Sequence, residues 1–300
     1  MQPRDARPRT RFLIIHNRIA GMRRRWLLGQ VCRELERAGA ELSVVPADSF
    51  EADRTLAQKA VQSGAWHAIV AAGGDSTVRG VGAGLLGGSV PLGIIPIGTG
   101  NVLAHEIGFC SGPRSIARNL MYGPSTPVQG GEANGACFFA MAGAGFDARV
   151  LARLDLGWKR RVGKLAYAWP LLGELARRPD GIEVEIDGQT YRCCWLIVAK
   201  ASRYGGPFRL TRQRTVHDEG FHAVIIRARS RTALVGVVLA LPTGCLEAHP
   251  LVTVVRCRHV AIRPQPALLV QLDGEVVATA PVEIVPAEQP LQLIVAAARG

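Results

Sequence analysis

No apolar run in this 300-residue chain approaches the roughly 18 residues that a membrane-spanning helix needs. The longest candidate, Ala233 to Leu241, is half that length and stops at Pro242. Met1 to Arg11 is polar and basic, and the apolar segment after it is four residues long. It reads as a strand and not as a secretory signal, so a cytoplasmic location is the default expectation. There is no Cys-x-x-Cys pair. The seven cysteines, at 32, 110, 137, 193, 194, 245 and 257, are odd in number, which argues against a disulfide framework or a zinc site and for buried, reduced thiols. A GxxxxGK[ST] phosphate loop, the HRD and DFG pair of protein kinases, a GxSxG elbow and an HExxH zinc motif are also absent. Acidic residues are scarce, 24 against 36 basic, giving a net charge of +12. Basic clusters stand at Arg23-Arg24-Arg25, at Lys159-Arg160-Arg161 with Lys164, and at Arg227, Arg229 and Arg231. A solvated arginine-rich surface accounts for them. Attraction to an anionic membrane face, about 1 kcal/mol per residue near the surface, would use the same charge. No helix-turn-helix, zinc or aromatic RNA-binding signature accompanies it, so no nucleic-acid partner is expected.

What the chain does have is a 48% hydrophobic content, ample for buried cores, and a length that suits two ordinary domains. The first third alternates strand and helix patterns. Short buried-type strands at 12–15, 42–45, 68–71 and 92–95 are separated by helical stripes, one of them running through Trp26, Leu27, Val31, Leu35 and Ala38. This rhythm predicts a mostly parallel, doubly wound α/β sheet. Around Gly123 to Gly131 the composition shifts to glycine, proline and short polar residues, which places a domain boundary after residue 128. Beyond it strands dominate: 182–186 and 191–198 around an Asp187-Gly188 turn, then 221–227, 251–256, 258–263, 268–272 and 282–285. Helices are expected near 163–177 and 230–241. Leu291 to Ala296 reads as a strand in a tail, about 287–300, that would rejoin either domain. The expected division is an α/β domain over 1–128 and a β-rich, sandwich-like domain over 129–300.

Four segments are able to carry chemistry. Ala71-Ala72-Gly73-Gly74-Asp75-Ser76-Thr77 follows one strand, and 19 residues on Pro96-Ile97-Gly98-Thr99-Gly100-Asn101 follows the next. Ligands of open α/β sheets bind at such strand ends. Glycines let backbone N–H groups approach phosphate closely, and a helix N-terminus adds a favourable dipole. Asp75 supplies a carboxylate where a metal bound to that phosphate would sit. Either turn alone would pass as an ordinary tight turn; two on neighbouring strands face one crevice. Gly143-Ala144-Gly145-Phe146-Asp147-Ala148 formally matches a dinucleotide fingerprint, but lies far into the chain without the acidic partner that such a fold needs. Its other reading is a carboxylate, Asp147, carried on a glycine turn. Leu272-Asp273-Gly274-Glu275 is by itself a common hairpin turn. A kinase whose substrate attacks through a hydroxyl needs a carboxylate to take that proton, and Glu275 is the candidate. The seven histidines are scattered; His105 and His217 lie near these segments and read as surface or packing residues.

In this combination the chain resembles the diacylglycerol kinase catalytic family, bacterial lipid kinases related to sphingosine kinases. Six segments carry the resemblance, in the family's order and across nearly the whole chain. His16-Asn17-Arg18-Ile19-Ala20-Gly21 is a worn N-P-x-S-G. Gly73 to Thr77 stands at G-G-D-G-T, and Pro96 to Asn101 at P-x-G-T-x-N. Gly143 to Ala148 is similar to G-x-G-[FL]-D-A. Ser202 to Phe208 leads towards a D-G turn, here Glu219-Gly220, and Asp273-Gly274-Glu275 stands at D-G-E. The resemblance implies an α/β nucleotide domain, a β-rich domain for the other substrate and an active site between them. It implies transfer of the ATP γ-phosphoryl group to a lipid hydroxyl with Mg²⁺ as cofactor, in phospholipid metabolism. Asn17, Gly73, Gly74, Asp75, Ser76, Thr77, Gly98, Thr99 and Asn101 would hold ATP. Asp147 and Asp273 would help organise Mg²⁺ and the active site, Asp75 and Asp273 would act in catalysis, and Glu275 would accept the proton. A structural Mg²⁺ would sit near the D-G turn on Glu219 and the carbonyls of Val216 and Phe221. A lipid substrate at the membrane surface implies a peripheral protein of the inner membrane face. A homodimer is left open.

Three departures from the family pattern stand out. Ser76 replaces a glycine, at a cost of about 1 kcal/mol or more if φ there is positive. Arg79-Gly80 replaces an Asn-Glu pair, and Glu219 replaces an aspartate. Two alternatives therefore stay open. One is a kinase of a sphingoid base or a soluble hydroxyl substrate, NAD included. The other is a weakly active or non-catalytic nucleotide- or lipid-binding member.

Overall fold

The computed structural model describes residues 8–18, 24–109, 111–212 and 216–296. Gly21, Arg23 and Cys110, singled out above, lie outside them. The chain divides into two compact units: residues 1–128 with 289–300, and residues 129–288.

The first unit runs β1 (Arg11–Asn17), α1 (Arg25–Arg37), β2 (Glu41–Ala47), α2 (Phe50–Ser63), β3 (Ala68–Gly73), α3 (Asp75–Leu85), β4 (Leu92–Pro96), α4 (Val102–Glu106), α5 (Pro113–Tyr122) and β5 (Ser125–Val128). Strand β20 (Leu291–Ile294) completes its sheet, in the order β2-β1-β3-β4-β20-β5. All neighbours are parallel except β20 and β5. Strands β3 and β4 are buried along their whole length, as continuous apolar runs in a sheet covered on both faces should be. Helix α1 packs with α5, and α2 with α3. Chain order reverses at β1, which has β2 on one side and β3 on the other. That reversal is a topological switch point, where the strand ends open a crevice. The β1–β3 register ends at His16 opposite Ala72, so Asn17 and Gly73 are the next residues along the two strands.

The second unit runs β6 (Gly131–Ala133), β7 (Ala136–Phe138), β8 (Met141–Gly145), α6 (Phe146–Ala152) and α7 (Leu156–Val162). A 3₁₀ segment (Gly163–Tyr167) leads into α8 (Ala168–Leu175). Then come β9 (Ile182–Ile186), β10 (Gln189–Cys193), β11 (Trp195–Ala199), β12 (Arg203–Tyr204), β13 (Phe208–Arg209), β14 (Phe221–Ile226), α9 (Arg231–Ala240), β15 (Val252–Cys257), β16 (Val260–Ile262), β17 (Leu269–Leu272), β18 (Glu275–Thr279) and β19 (Val282–Pro286). Two six-stranded sheets, β10-β9-β16-β19-β6-β7 and β15-β14-β11-β8-β17-β18, bury one core between them. Period-two alternation supplies that core: Ile182, Val184 and Ile186 from β9, Leu196 and Val198 from β11, Val270 and Leu272 from β17. The alternate residues of the second sheet, among them Gly143, Trp195 and Gln271, therefore point away from the core. Helix α6 packs on β8 and β17 there, with Phe146 tilted against Trp195 at 5.0 Å.

The helix expected near 163–177 opens as the 3₁₀ segment and continues as α8. Helix α7 before it was not expected; Asp155 caps it by accepting from Trp158 N, and Gly163 at φ 65° ends it. The short strands β5, β6 and β7 occupy the stretch that composition marked only as a boundary.

Candidate functional site

In the first unit the two glycine turns come together because β3 and β4 are in register. Gly73 is level with Pro96, and Gly98 N donates to Gly73 O at 3.0 Å. A Cβ on Gly98 would lie 2.3 Å from the Cα of Gly74, so backbone meets backbone and no side chain fits. Asn101 adopts a left-handed conformation, φ 54°, and donates from Nδ2 to Gly98 O at 2.7 Å, which closes the second turn. Asp75 begins α3 and accepts from Leu103 N at 3.3 Å, tying the start of α4 to the first turn. Gly73, Gly74, Asp75, Ser76, Thr77, Gly98, Thr99 and Asn101 thus form one surface at the C-terminal ends of β3 and β4. Asn17 stands at the end of β1 beside it. Burial, and after it the charges of Arg25 and Arg18, hold His16 below its ordinary pKa. Two buried oxygens, Thr77 Oγ1 and Asn101 Oδ1, have no hydrogen-bond partner among the described residues. Buried polar atoms are otherwise nearly always paired; the Thr77 hydroxyl is able to donate to an anion at this turn, whereas the Asn101 amide oxygen only accepts.

The departures read differently here than in the sequence. Ser76 lies in the first turn of α3 and is not among the residues with positive φ, so the anticipated strain is not present. Gly80 faces α2: a Cβ there would lie 2.7 Å from Asp53 Cβ, and one on Gly84 2.6 Å from Arg54 O. Glycine at both positions is what lets α2 lie against α3. Arg79 is buried with its guanidinium 4.6 Å from the centre of the Phe50 ring.

In the second unit, Asp147 and the Asp273 turn are linked. Asp147 is buried on the outer face of the β8 sheet and accepts from Gln271 Nε2 at 3.0 Å and from Ala148 N at 2.8 Å. A Cβ on Gly143 would lie 2.2 Å from its Oδ2, which is why this motif needs glycine at that position. Burial raises the Asp147 pKa from 3.8 to about 7 against the opposing hydrogen bonds. The same burial, with the Asp147 charge, raises Tyr204 well above its usual range. Gln271 Oε1 accepts from Gly274 N at 2.9 Å, so one side chain joins Asp147 to the turn. Asp273 and Gly274 have φ of 48° and 87°, the type I′ hairpin between β17 and β18. The buried Asp273 carboxylate accepts from Phe139 N, Ala140 N and Met141 N, all within 2.9 Å. Glu275 follows, exposed, as the first residue of β18. Asp273 and Gln271 fix the backbone that presents it. The sequence reading missed Gln271, whose only signal was a polar residue in an otherwise apolar strand.

The oxygens of Asp147 and Asp273 are already hydrogen-bonded within the second unit, Asp147 to Gln271 and Ala148 and Asp273 to three backbone amides. At the D-G turn, Glu219 is exposed and ion-paired with Arg258. Val216 and Phe221 flank the turn as buried residues. Between them the carbonyls of Asp218 and Gly220 accept from Lys200 Nζ at 2.6 and 3.0 Å. Lys200 has no exposed surface; burial lowers its pKa from 10.5 to about 8, with Asp218 opposing. His222 is also buried, its Nε2 3.6 Å from Asp218 Oδ2, and burial lowers its pKa. Among the described residues no group of three or more His, Cys, Asp or Glu is arranged to hold a metal.

Comparison with known proteins matches this architecture over both units. The diacylglycerol kinase catalytic domain matches residues 11–133, and the YegS C-terminal NAD kinase beta sandwich-like domain matches residues 140–295. A Bacillus subtilis diacylglycerol kinase is 28% identical over 259 residues, 83% of this chain and 84% of that one. Uncharacterized protein sll0036 of Synechocystis sp. is 29% identical over 226 residues, 72% of this chain; the chain spans about half of that relative, 52%. A crystal structure of a diacylglycerol kinase from Bacillus anthracis str. Sterne superposes with a TM-score of 0.76 at 20% identity, over 97% of this chain and 98% of that one. The chain belongs to the diacylglycerol kinase family of phosphotransferases, with the family's catalytic domain followed by the YegS-type C-terminal domain.

Proposed function

We propose that this family member transfers the γ-phosphoryl group of ATP to the hydroxyl of diacylglycerol or a similar lipid alcohol, with Mg²⁺ arriving on the nucleotide. The observation that carries the reading is the meeting of the two glycine turns, with the orphaned Thr77 hydroxyl beside them. In this reading Asn17, Gly73, Gly74, Asp75, Ser76, Thr77, Gly98, Thr99 and Asn101 orient the phosphates. The lipid hydroxyl gives its proton to Glu275 as its oxygen bonds to the γ-phosphorus. The bond from that phosphorus to the β-bridging oxygen breaks, and ADP leaves. Asp273 and Gln271 are positioning residues for Glu275. The test is transfer of labelled γ-phosphate from MgATP to a total lipid extract, resolved by product, beside Glu275→Gln. A labelled lipid made by the unmodified protein alone supports the reading. Label appearing in soluble acceptors only, or equally with Glu275→Gln, refutes it.

The reading extends to where the lipid is met. Among the described residues no helix is long and apolar enough to cross a membrane. Yet Trp158, Leu165, Trp169 and Leu172 are 62, 75, 84 and 61% exposed. Leu165, Trp169 and Leu172 recur at i, i+4 and i+7 along the 3₁₀ segment and α8, one helical face. The opposite face is fixed: Pro170 and Glu174 are buried, and Glu174 is ion-paired with Arg149 of α6. Residues 156–178 carry six Lys or Arg against one Glu, and Arg161 and Lys164 are exposed beside the aromatics. Exposed tryptophan and leucine among cations suit an anionic bilayer surface. Co-sedimentation with phosphatidylcholine–phosphatidylglycerol vesicles should fall roughly tenfold in the Trp158→Ser, Trp169→Ser double variant. Unchanged sedimentation, or a dimer that this variant dissociates, would refute this face.

A further inference from the structure

A turn that aims backbone carbonyls inward needs donors to meet them. In the 216–221 turn two carbonyls, of Asp218 and Gly220, converge on the Lys200 ammonium, which has no exposed surface. The placement is built in from the other side as well. Lys200 N and Ala201 N both donate to Ala140 O at 2.9 Å, so the lysine backbone is held at the end of β11. The ammonium also lies 6.0 Å from the centre of the Phe221 ring, a second source of cation stabilisation. Meanwhile Glu219, the carboxylate that would complete a divalent site, is exposed and bound to Arg258.

We propose that the Lys200 ammonium is the resident cation of the 216–221 turn, held by the carbonyls of Asp218 and Gly220, so that the turn needs no structural divalent metal. The C-terminal unit then keeps its fold without Mg²⁺. An ammonium is a compact charge with three donors on a flexible stem, which suits it to carbonyls that converge from different directions. The inference is independent of the proposed reaction.

The test is thermal unfolding of the full chain without nucleotide, in millimolar MgCl₂ and in EDTA, for the unmodified protein, Lys200→Met and Glu219→Gln. EDTA should leave the midpoint of the unmodified protein unchanged. Lys200→Met keeps the length and loses the charge, and should lower the midpoint by roughly 5–10 °C, the loss of two charge-assisted hydrogen bonds. Glu219→Gln should behave as the unmodified protein in both media. A midpoint raised by Mg²⁺ in the unmodified protein but not in Glu219→Gln would overturn the proposal, as would a Lys200→Met midpoint equal to that of the unmodified protein. Should Lys200→Met not fold, the Mg²⁺ response of the other two proteins decides.

Discussion

The Asp147 carboxyl should make the protein less stable as pH rises from mildly acidic to neutral. Its pKa is raised from 3.8 to about 7, with burial the leading cause. A raised carboxyl pKa means that the folded state favours the protonated form. The unfolded chain ionises near pH 4 while the folded one does not, so stability falls with each pH unit until the folded group ionises near 7, and then levels. At about 1.36 kcal/mol per unit, the whole shift corresponds to about 4 kcal/mol, of which about 1–2 is spent by pH 5 and the rest falls between pH 5 and pH 8. Asp147→Asn removes the ionisation. It also puts an NH₂ donor where the protonated carboxyl keeps a hydroxyl oxygen able to accept, facing the donors Gln271 Nε2 and Ala148 N, a pH-independent loss of about 1–2 kcal/mol. The variant should therefore match the parent at pH 5 and exceed it by roughly 3 kcal/mol at pH 8. Urea unfolding in EDTA, followed by circular dichroism at both pH values, measures the difference. An offset between the two proteins that is the same at pH 5 and pH 8 would show that the carboxyl is not desolvated as described.

Three further outcomes follow from the geometry. Asp273→Asn cannot accept all three amides of residues 139–141; it should lower stability by about 2–3 kcal/mol and reduce kcat more than it changes KM, read by unfolding and by initial rates. Gly98→Ala forces its Cβ against the Gly74 backbone, so nucleotide affinity measured by calorimetry should drop at least tenfold, or roughly 1.4 kcal/mol, with the fold retained by circular dichroism. Ser76→Gly, which restores the family residue, should cost up to about 1 kcal/mol because the position is helical; a gain in stability would mean that φ is positive there.

The fold class and the family were legible because they rest on local signals. Apolar runs of four or five residues ending in glycine turns marked β3 and β4, and alternation marked β9. The helix expected near 163–177 is present, but α7 before it went unread, because Gly163, whose positive φ no periodicity records, separates the two. What Asp147 and Asp273 do was not legible either. Which groups donate to an acidic side chain depends on residues more than a hundred positions away, Phe139 N for Asp273 and Gln271 Nε2 for Asp147. Lys200 was missed for the same reason: in sequence it is a lysine after an apolar strand, and only the long-range return of the 216–221 turn buries it. The warning at Ser76 came from reading a motif position as a conformation.

Strand β20 has a consequence for biosynthesis. Its residues Leu291, Leu293 and Ile294 are fully buried in the sheet of the first unit, between β4 and β5. Every residue of the second unit, 129–288, leaves the ribosome before β20 does. Domains usually fold in the order they are made. Here the first unit waits with an apolar edge on β4 open, and an open edge invites pairing with another chain. The β-sandwich can close while its predecessor is still incomplete, so the two units are made in one order and finished in the other.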